Sequence, residues 1–147
     1  MSDPSIPRYL DYFEIKDSPQ TQGFALVQTY ISAPTLEQNL DSGRTFTEAE
    51  IKQIATSILE ILIYFHGFNP PVIHRDIKPS NILLGDRSGN SVGQIYLIDF
   101  GSVQTDAAKE GGTMTVVRTY GYMPPEQFGS CTVRASDLHS LGATLIY

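Results

Sequence analysis

Asp76, Lys78, Asn81 and Asp99 are the residues whose types and spacing are suited to chemistry. Asp76 and Asn81 stand five apart in the run His74-Arg75-Asp76-Ile77-Lys78-Pro79-Ser80-Asn81. One loop can therefore present a carboxylate to a substrate hydroxyl and an amide oxygen to a metal ion on nucleotide phosphates. Lys78 adds a compact positive charge beside Asp76, matched to a phosphate oxygen. Asp99 opens Asp99-Phe100-Gly101, 23 residues after Asp76, and supplies a second ligand for magnesium. This set serves phosphoryl transfer, in which a protein mainly positions two substrates and neutralises charge spread over phosphate oxygens. Taken alone, Asp-Phe-Gly is more often a turn than a metal site, and Gly101 would permit the bend.

The elements that position these residues are readable from periodicity. Tyr9 to Lys16 and Phe24 to Ile31 read as two strands joined by a short polar loop, hence an antiparallel pair. Thr35 to Leu40 reads as a short helix with Thr35 and Gln38 as a capping box. A longer helix starts at Thr47 with Glu50 completing a second box, and Ile51, Ile54, Ala55, Ile58, Leu59, Leu62 and Phe65 form its expected apolar stripe. Ile61 and Ile63 fall off that stripe, so the helix is apolar over much of its girth. Ile82–Leu84 and Ile95–Ile98 read as a hairpin whose second strand delivers Asp99. Residues 102–125 lack periodicity and are rich in Thr and Gly, which suits a mobile segment. Ala135 to Tyr147 is expected to be helical, with Leu138, Leu141 and Leu145 on one side.

The 147 residues are 41% hydrophobic and 18% charged, the balance of a globular domain. Ten basic against sixteen acidic residues leave a net charge of −6, which disfavours broad attraction to nucleic acid or anionic membranes. Cys131 is the single cysteine, so an intrachain disulfide and a cysteine-based zinc site are excluded, in keeping with a reducing cytosol. No stretch approaches about 18 uninterrupted apolar residues, and the first residues lack a secretory pattern. The three histidines show no metal-ligand spacing; His74 reads as structural, and His66 and His139 as helix-surface or cap residues.

The run from His74 to Asn81, followed by Asp99-Phe100-Gly101 and later by Pro125-Glu126, resembles the motifs of the protein kinase domain, and Lys78-Pro79 resembles the serine/threonine type. Ile77 stands where that family usually has Leu. The resemblance covers nearly the whole chain. It implies an α+β fold of the two-lobe kinase kind, truncated at both ends, with residues 1–31 a remnant of the small lobe and hinge and 32–147 a portion of the large lobe. It also implies ATP and magnesium as cofactors, a protein substrate with a Ser or Thr acceptor, a cytoplasmic location, and neither nucleic acid nor membrane as partner of this chain. Asp76 would orient the acceptor hydroxyl and Lys78 neutralise the transferred phosphate, while Asn81 and Asp99 would hold magnesium. The backbone of Thr29 and Ile31 would face the adenine, with Leu83 as the floor of its pocket. Gln28 stands in the gatekeeper place, or is a plain core-strand residue. Arg75 would pair with a phosphorylated Thr113 or Thr115, and Asp137 would hold the backbone of the catalytic loop. Thr119 and Tyr122 belong to the end of the activation segment, where Arg118 replaces the usual Gly.

The sequence departs from the family in having no Gly-x-Gly-x-x-Gly and no strand lysine with a helix glutamate, so these residues alone are expected to show no detectable transfer. Glu126 would need an arginine from beyond Tyr147. Two other readings stay open: a small-molecule phosphotransferase, against which Lys78-Pro79 and Pro125-Glu126 argue, and an inactive kinase-like binding module that uses an exposed face of Leu138, Leu141 and Leu145.

Overall fold

The computed structural model describes residues 3–18, 21–86, 91–100, 121–128 and 132–146. The expected mobile segment lies almost wholly outside them, as do Thr113, Thr115, Arg118, Thr119 and Cys131. Strands β1 (Tyr9–Ser18) and β2 (Thr21–Gln28) form an antiparallel hairpin with an irregularity between Tyr9 and Asp11. β2 ends three residues earlier than the apolar run Thr29-Tyr30-Ile31 suggested. Thr29 still reaches back, its N–H donating to Arg8 O at 2.9 Å and its Oγ1 accepting from Arg8 N at 2.8 Å. Apolar side chains of both strands, among them Tyr12, Phe13 and Leu26, are about half exposed.

Helices α1 (Leu36–Asp41) and α2 (Glu48–His66) begin where the capping boxes place them, and in each box the side-chain and backbone bonds are both formed. Arg44 bridges the two helices, donating to Asn39 Oδ1 at 3.0 Å and to Glu50 Oε1 at 3.2 Å. The buried face of α2 is rotated from the expected stripe. Ile54, Ile58, Ile61 and Leu62 are buried, whereas Leu59 is partly exposed and Ile63 is 73% exposed. The reason is tertiary: α2 packs against α4 (Arg134–Ile146) and against β4 (Ile95–Leu97), and the face between those neighbours is centred on Ile58 and Ile61. α4 differs in the same way, with Leu141 buried, Leu145 half-buried and Leu138 about half exposed. Its packed face is largely polar, made of Ser136, Asp137, Ser140 and Thr144, so the three leucines do not form one exposed patch.

β3 (Ile82–Leu84) pairs antiparallel with β4. Ile82, Leu84, Ile95 and Leu97 join the α2 isoleucines, Ile77, Val92 and Leu36 in one core. Each such aliphatic side chain contributes about 1.5–3 kcal/mol by leaving water. Gln53 of α2 reaches the connection before β4, donating to Ser91 Oγ at 3.0 Å and accepting from Val92 N at 3.3 Å. The N-terminal segment extends the hairpin through Leu97 N to Ser5 O at 3.0 Å. A short helix α3 (Pro125–Phe128) precedes α4. No helix among the described residues is long and apolar enough to cross a membrane.

Candidate active site

The loop from Ile73 to Lys78 runs between the end of α2 and a 3-10 turn at Pro79–Asn81 that leads into β3. Pro79 suits the start of that turn, since its missing N–H is one that no helix start would bond. Ile77 is fully buried and anchors the loop from beneath. Above it, Lys78 Nζ lies 2.9 Å from Asp76 Oδ2. Asn81 Nδ2 donates to Asp76 O at 2.8 Å and to Asp76 Oδ2 at 3.2 Å. Asp76, Lys78 and Asn81 are therefore in mutual contact.

Asp99 is brought to the same place by the backbone. Ile98 N donates to Asn81 O at 3.0 Å, and Asp99 follows with φ 64°, a left-handed conformation costing roughly 1–2 kcal/mol for a residue with a Cβ. Arg75 is the other non-glycine residue there among the described residues, with φ 71°. Its N–H donates to Asp137 Oδ1 at 2.8 Å, and His74 N donates to Asp137 Oδ2 at 2.9 Å. Asp137, fully buried at the start of α4, thus holds the loop backbone from below.

His74 is buried and its two ring nitrogens have distinct partners. Nε2 donates to Ile98 O at 3.0 Å, so Nδ1 accepts from Asp76 N at 3.2 Å. Burial holds its pKa below the ordinary histidine range, against the opposing pull of Asp137, and the ring is neutral. Phe100 packs edge-on against it at 4.6 Å and lies 4.7 Å from Phe65 of α2. That aromatic stack ties the residue after Asp99 to the loop and to the helix.

The two acceptors facing Asn81 Nδ2, a carbonyl and a carboxylate, cannot donate, so this amide's oxygen is its end for a cation. This oxygen and the exposed Asp99 carboxylate are the groups here that could hold magnesium, which takes one or two protein oxygens completed by phosphates and water. Thr29 and Ile31 are placed differently from these. The Thr29 N–H is used by Arg8 and the Ile31 carbonyl by Ala33 N at 3.1 Å. Leu83 is buried yet outside the main core, opposite in the strand alternation to Ile82 and Leu84. Its backbone bridges to Thr35, and Leu84 N donates to Pro34 O at 2.9 Å, which draws the segment after Ile31 to β3.

A family model for the protein kinase domain matches residues 1–147. The chain belongs to the protein kinase domain family. Among relatives of this kinase segment, serine/threonine-protein kinase B of Synechocystis sp. is 40% identical over 153 residues, which cover 98% of this chain and 25% of the relative. Serine/threonine-protein kinase PknA of Nostoc sp. is 38% identical over 148 residues, covering 97% and 24%. Serine/threonine-protein kinase tousled-like 1 of Homo sapiens is 34% identical over 131 residues, covering 85% and 16%. The kinase segment spans about a quarter of the length of the first two.

Two features escaped the sequence reading. His66, expected as a helix-surface or cap residue, does end α2, but its side chain is only 13% exposed and its Nε2 lies 2.9 Å from Asp137 Oδ2. Its partner is 71 positions away, and no local pattern announces it. Glu126 accepts from Ser136 Oγ at 3.0 Å, and Tyr122 O accepts from Ser140 Oγ at 2.7 Å. Both bonds tie residues 122–126 to α4. Serines inside a helix pattern carry no sign of such a task.

Proposed function

We propose that this chain is the catalytic-loop portion of a protein serine/threonine kinase that transfers phosphate from ATP to a Ser or Thr hydroxyl of a protein, in the cytosol. The observation that carries the reading is the contact cluster of Asp76, Lys78 and Asn81, to which the Ile98–Asn81 bond joins Asp99. Asp76 orients the acceptor hydroxyl and takes its proton. Lys78, held beside it, carries positive charge to the transferring phosphoryl oxygens. Asn81 and Asp99 hold magnesium, which when bound neutralises charge on the phosphates. The Thr29 carbonyl and the Ile31 N–H address the edge of the adenine, and Leu83 supports its face. Arg75 answers a phosphate on Thr113 or Thr115, which lies together with Thr119 in the segment leading to Pro125. Residues 1–31 would belong to the smaller lobe and hinge, and 32–147 to the larger lobe of a two-lobe domain. Lys78-Pro79 and the anchoring of Tyr122 and Glu126 on α4 favour a protein acceptor over a small molecule, which needs no docking segment.

The test joins the chain in a chimera to a glycine-rich loop and lysine strand taken from an active protein kinase and compares it with its Asp76→Asn variant. Radiolabelled phosphate should appear on Ser or Thr of a generic basic protein, and the variant should lose roughly 10²–10⁴-fold in rate while still binding nucleotide. Unchanged turnover would sink the assignment of Asp76, and label confined to sugars or aminoglycosides would move the protein to the small-molecule phosphotransferases.

A further inference from the structure

The β3–β4 hairpin delivers Asp99 with only three residue pairs, Ile82 with Leu97, Leu83 with Tyr96 and Leu84 with Ile95. Their side chains do little to select this pairing. A slip by two residues keeps the strand alternation and sets apolar side chains against apolar ones, yet it carries Asp99 about 7 Å along from Asn81. The bonds at the far end of β4, from Ile98 N to Asn81 O and from Leu97 N to Ser5 O, join backbone groups that every residue but proline possesses. They hold a strand without choosing its register. Contacts that read side chains are fewer. Phe100, after Asp99, stacks on His74 and Phe65, and an exposed bond from Gln94 Nε2 to Ser5 Oγ competes with water. Before β4, the half-buried amide of Gln53 grips residues 91–93. Its Nε2 donates to Ser91 Oγ at 3.0 Å and to Gly93 O at 3.3 Å, and its Oε1 accepts from Val92 N and from Ser91 Oγ, both at 3.3 Å. Ser91 Oγ accepts in turn from Gly93 N at 3.2 Å. This grip depends on which residues it meets, since a hydroxyl is needed to give and take at 91. At 93 only glycine fits, because φ is 80° and a Cβ would collide with the Asp86 carbonyl.

We propose that Gln53 is a positioning residue for Asp99: by gripping Ser91, Val92 and Gly93 it fixes the register in which β4 pairs with β3, and with it the point at which the strand releases Asp99. This rests on the reading of Asp99 as a metal ligand and adds to it a determinant on α2. Ile54, the next residue of that helix, is buried in the core, so α2 cannot slide to follow a slipped strand. Counting only the bonds to Val92 N and Gly93 O, each worth about fivefold in an equilibrium, loss of the amide should shift the balance between registers by roughly 25-fold. A purely structural role for the amide is the alternative, and it predicts a less stable chain that keeps one register.

The experiment reads the register directly, as nuclear Overhauser contacts between the Hα atoms of facing residues in the 147-residue chain. Leu97 N turns away from β3 to Ser5 O, and Leu84 N turns away from β4 to Pro34 O. Ile82 with Leu97 and Leu84 with Ile95 are therefore the pairs without mutual hydrogen bonds, whose Hα atoms lie close together. Wild type should show these two contacts alone. In Gln53→Met, which keeps the side-chain length and loses the amide, the contacts of a slipped hairpin, Ile82 with Ile95 or Leu84 with Leu97, should appear beside them. Gln53→Ala should show the same, and alanine suits α2 well enough to answer for a methionine variant that fails to fold. Lys52→Ala, at the exposed position next to Gln53, is the control and should keep the native contacts alone. Native contacts alone in the Gln53 variants, or slipped contacts in Lys52→Ala as well, overturn the proposal. No phosphate transfer is measured, so the result stands apart from the Asp76→Asn test. Slipped contacts would establish the grip of Gln53 even where turnover was unchanged, and their absence would leave the assignment of Asp76 as it stood.

Discussion

Replacing Asp137 by Asn tests how much of the loop's order rests on one carboxylate. Oδ1 accepts from Arg75 N, and Oδ2 accepts from His74 N and His66 Nε2. An asparagine has one oxygen for these two places. If that oxygen takes the Arg75 side, its NH2 meets two donors; if it takes the other, the NH2 meets the Arg75 N–H. Either way at least one charge-assisted bond, worth about 1.5–3 kcal/mol, is lost and a buried donor is stranded at a further cost of about 1–3 kcal/mol. The sum is roughly 3–5 kcal/mol, a large share of the 5–15 kcal/mol typical of a domain. At about 2–4 °C per kcal/mol for a chain of this size, the midpoint should fall by about 10 °C. Thermal and urea unfolding followed by far-ultraviolet circular dichroism reads both the midpoint and the denaturant slope, and the slope should hold. His139→Ala, at an exposed position of the same helix, is the control and should change little. An Asp137→Asn midpoint within about 2 °C of wild type would refute the reasoning, because it would mean that the buried carboxylate does not carry the loop.

Three further outcomes follow from the packing and the titrating groups. Ile61→Ala should cost about 2–5 kcal/mol in urea unfolding and Leu59→Ala less than about 1 kcal/mol, the reverse of what the expected stripe implies. His74 is neutral when folded, its pKa lowered by burial, whereas the unfolded chain takes up a proton near pH 6.5, so stability should be intact above about that pH and fall as the pH drops below it. Glu50, its pKa lowered first by the Thr47 N–H, adds a loss further into the acid range; thermal melts of wild type and His74→Gln across that span should separate the two, the first decline vanishing in the variant. Gly93 has φ 80° and a Cβ there would collide with the Asp86 carbonyl, so Gly93→Ala should cost roughly 2 kcal/mol or more by the same urea measurement.

What was legible in the sequence was what depends on neighbours in the chain. Thr35 with Gln38 and Thr47 with Glu50 announced two helix starts because a capping box closes within four residues. The strands of the β3–β4 hairpin were visible because Ile82–Leu84 and Ile95–Leu97 are short, apolar and bounded by turn residues. The direction in which α2 turns its apolar girth was not visible: Leu59 and Ile61 are equally apolar, and only the position of α4 and β4 selects between them. Leu138 misled for the same reason, since the neighbours of α4 meet its serines and its aspartate. Within the site, Asp76, Lys78 and Asn81 could be grouped from spacing alone. The convergence of His66 on Asp137 could not, as it joins residues whose meeting only the finished fold determines.

The bonds of Asp137 to His74 and Arg75 span 63 and 62 positions, and this has a consequence for a chain that is still being made. When the ribosome has just added Arg75, the residue that will fix its backbone does not yet exist. At about 5–20 residues per second, Asp137 is added roughly 3–12 s later, and it must then clear the exit tunnel. α2, closed by its own local bonds, can form in that interval, but the loop it leads into has to wait. Until then Arg75 and its neighbours sample the ordinary right-handed and extended conformations. A nascent chain therefore carries the residues of this loop without its geometry, and the geometry arrives in one late event, when the start of α4 docks.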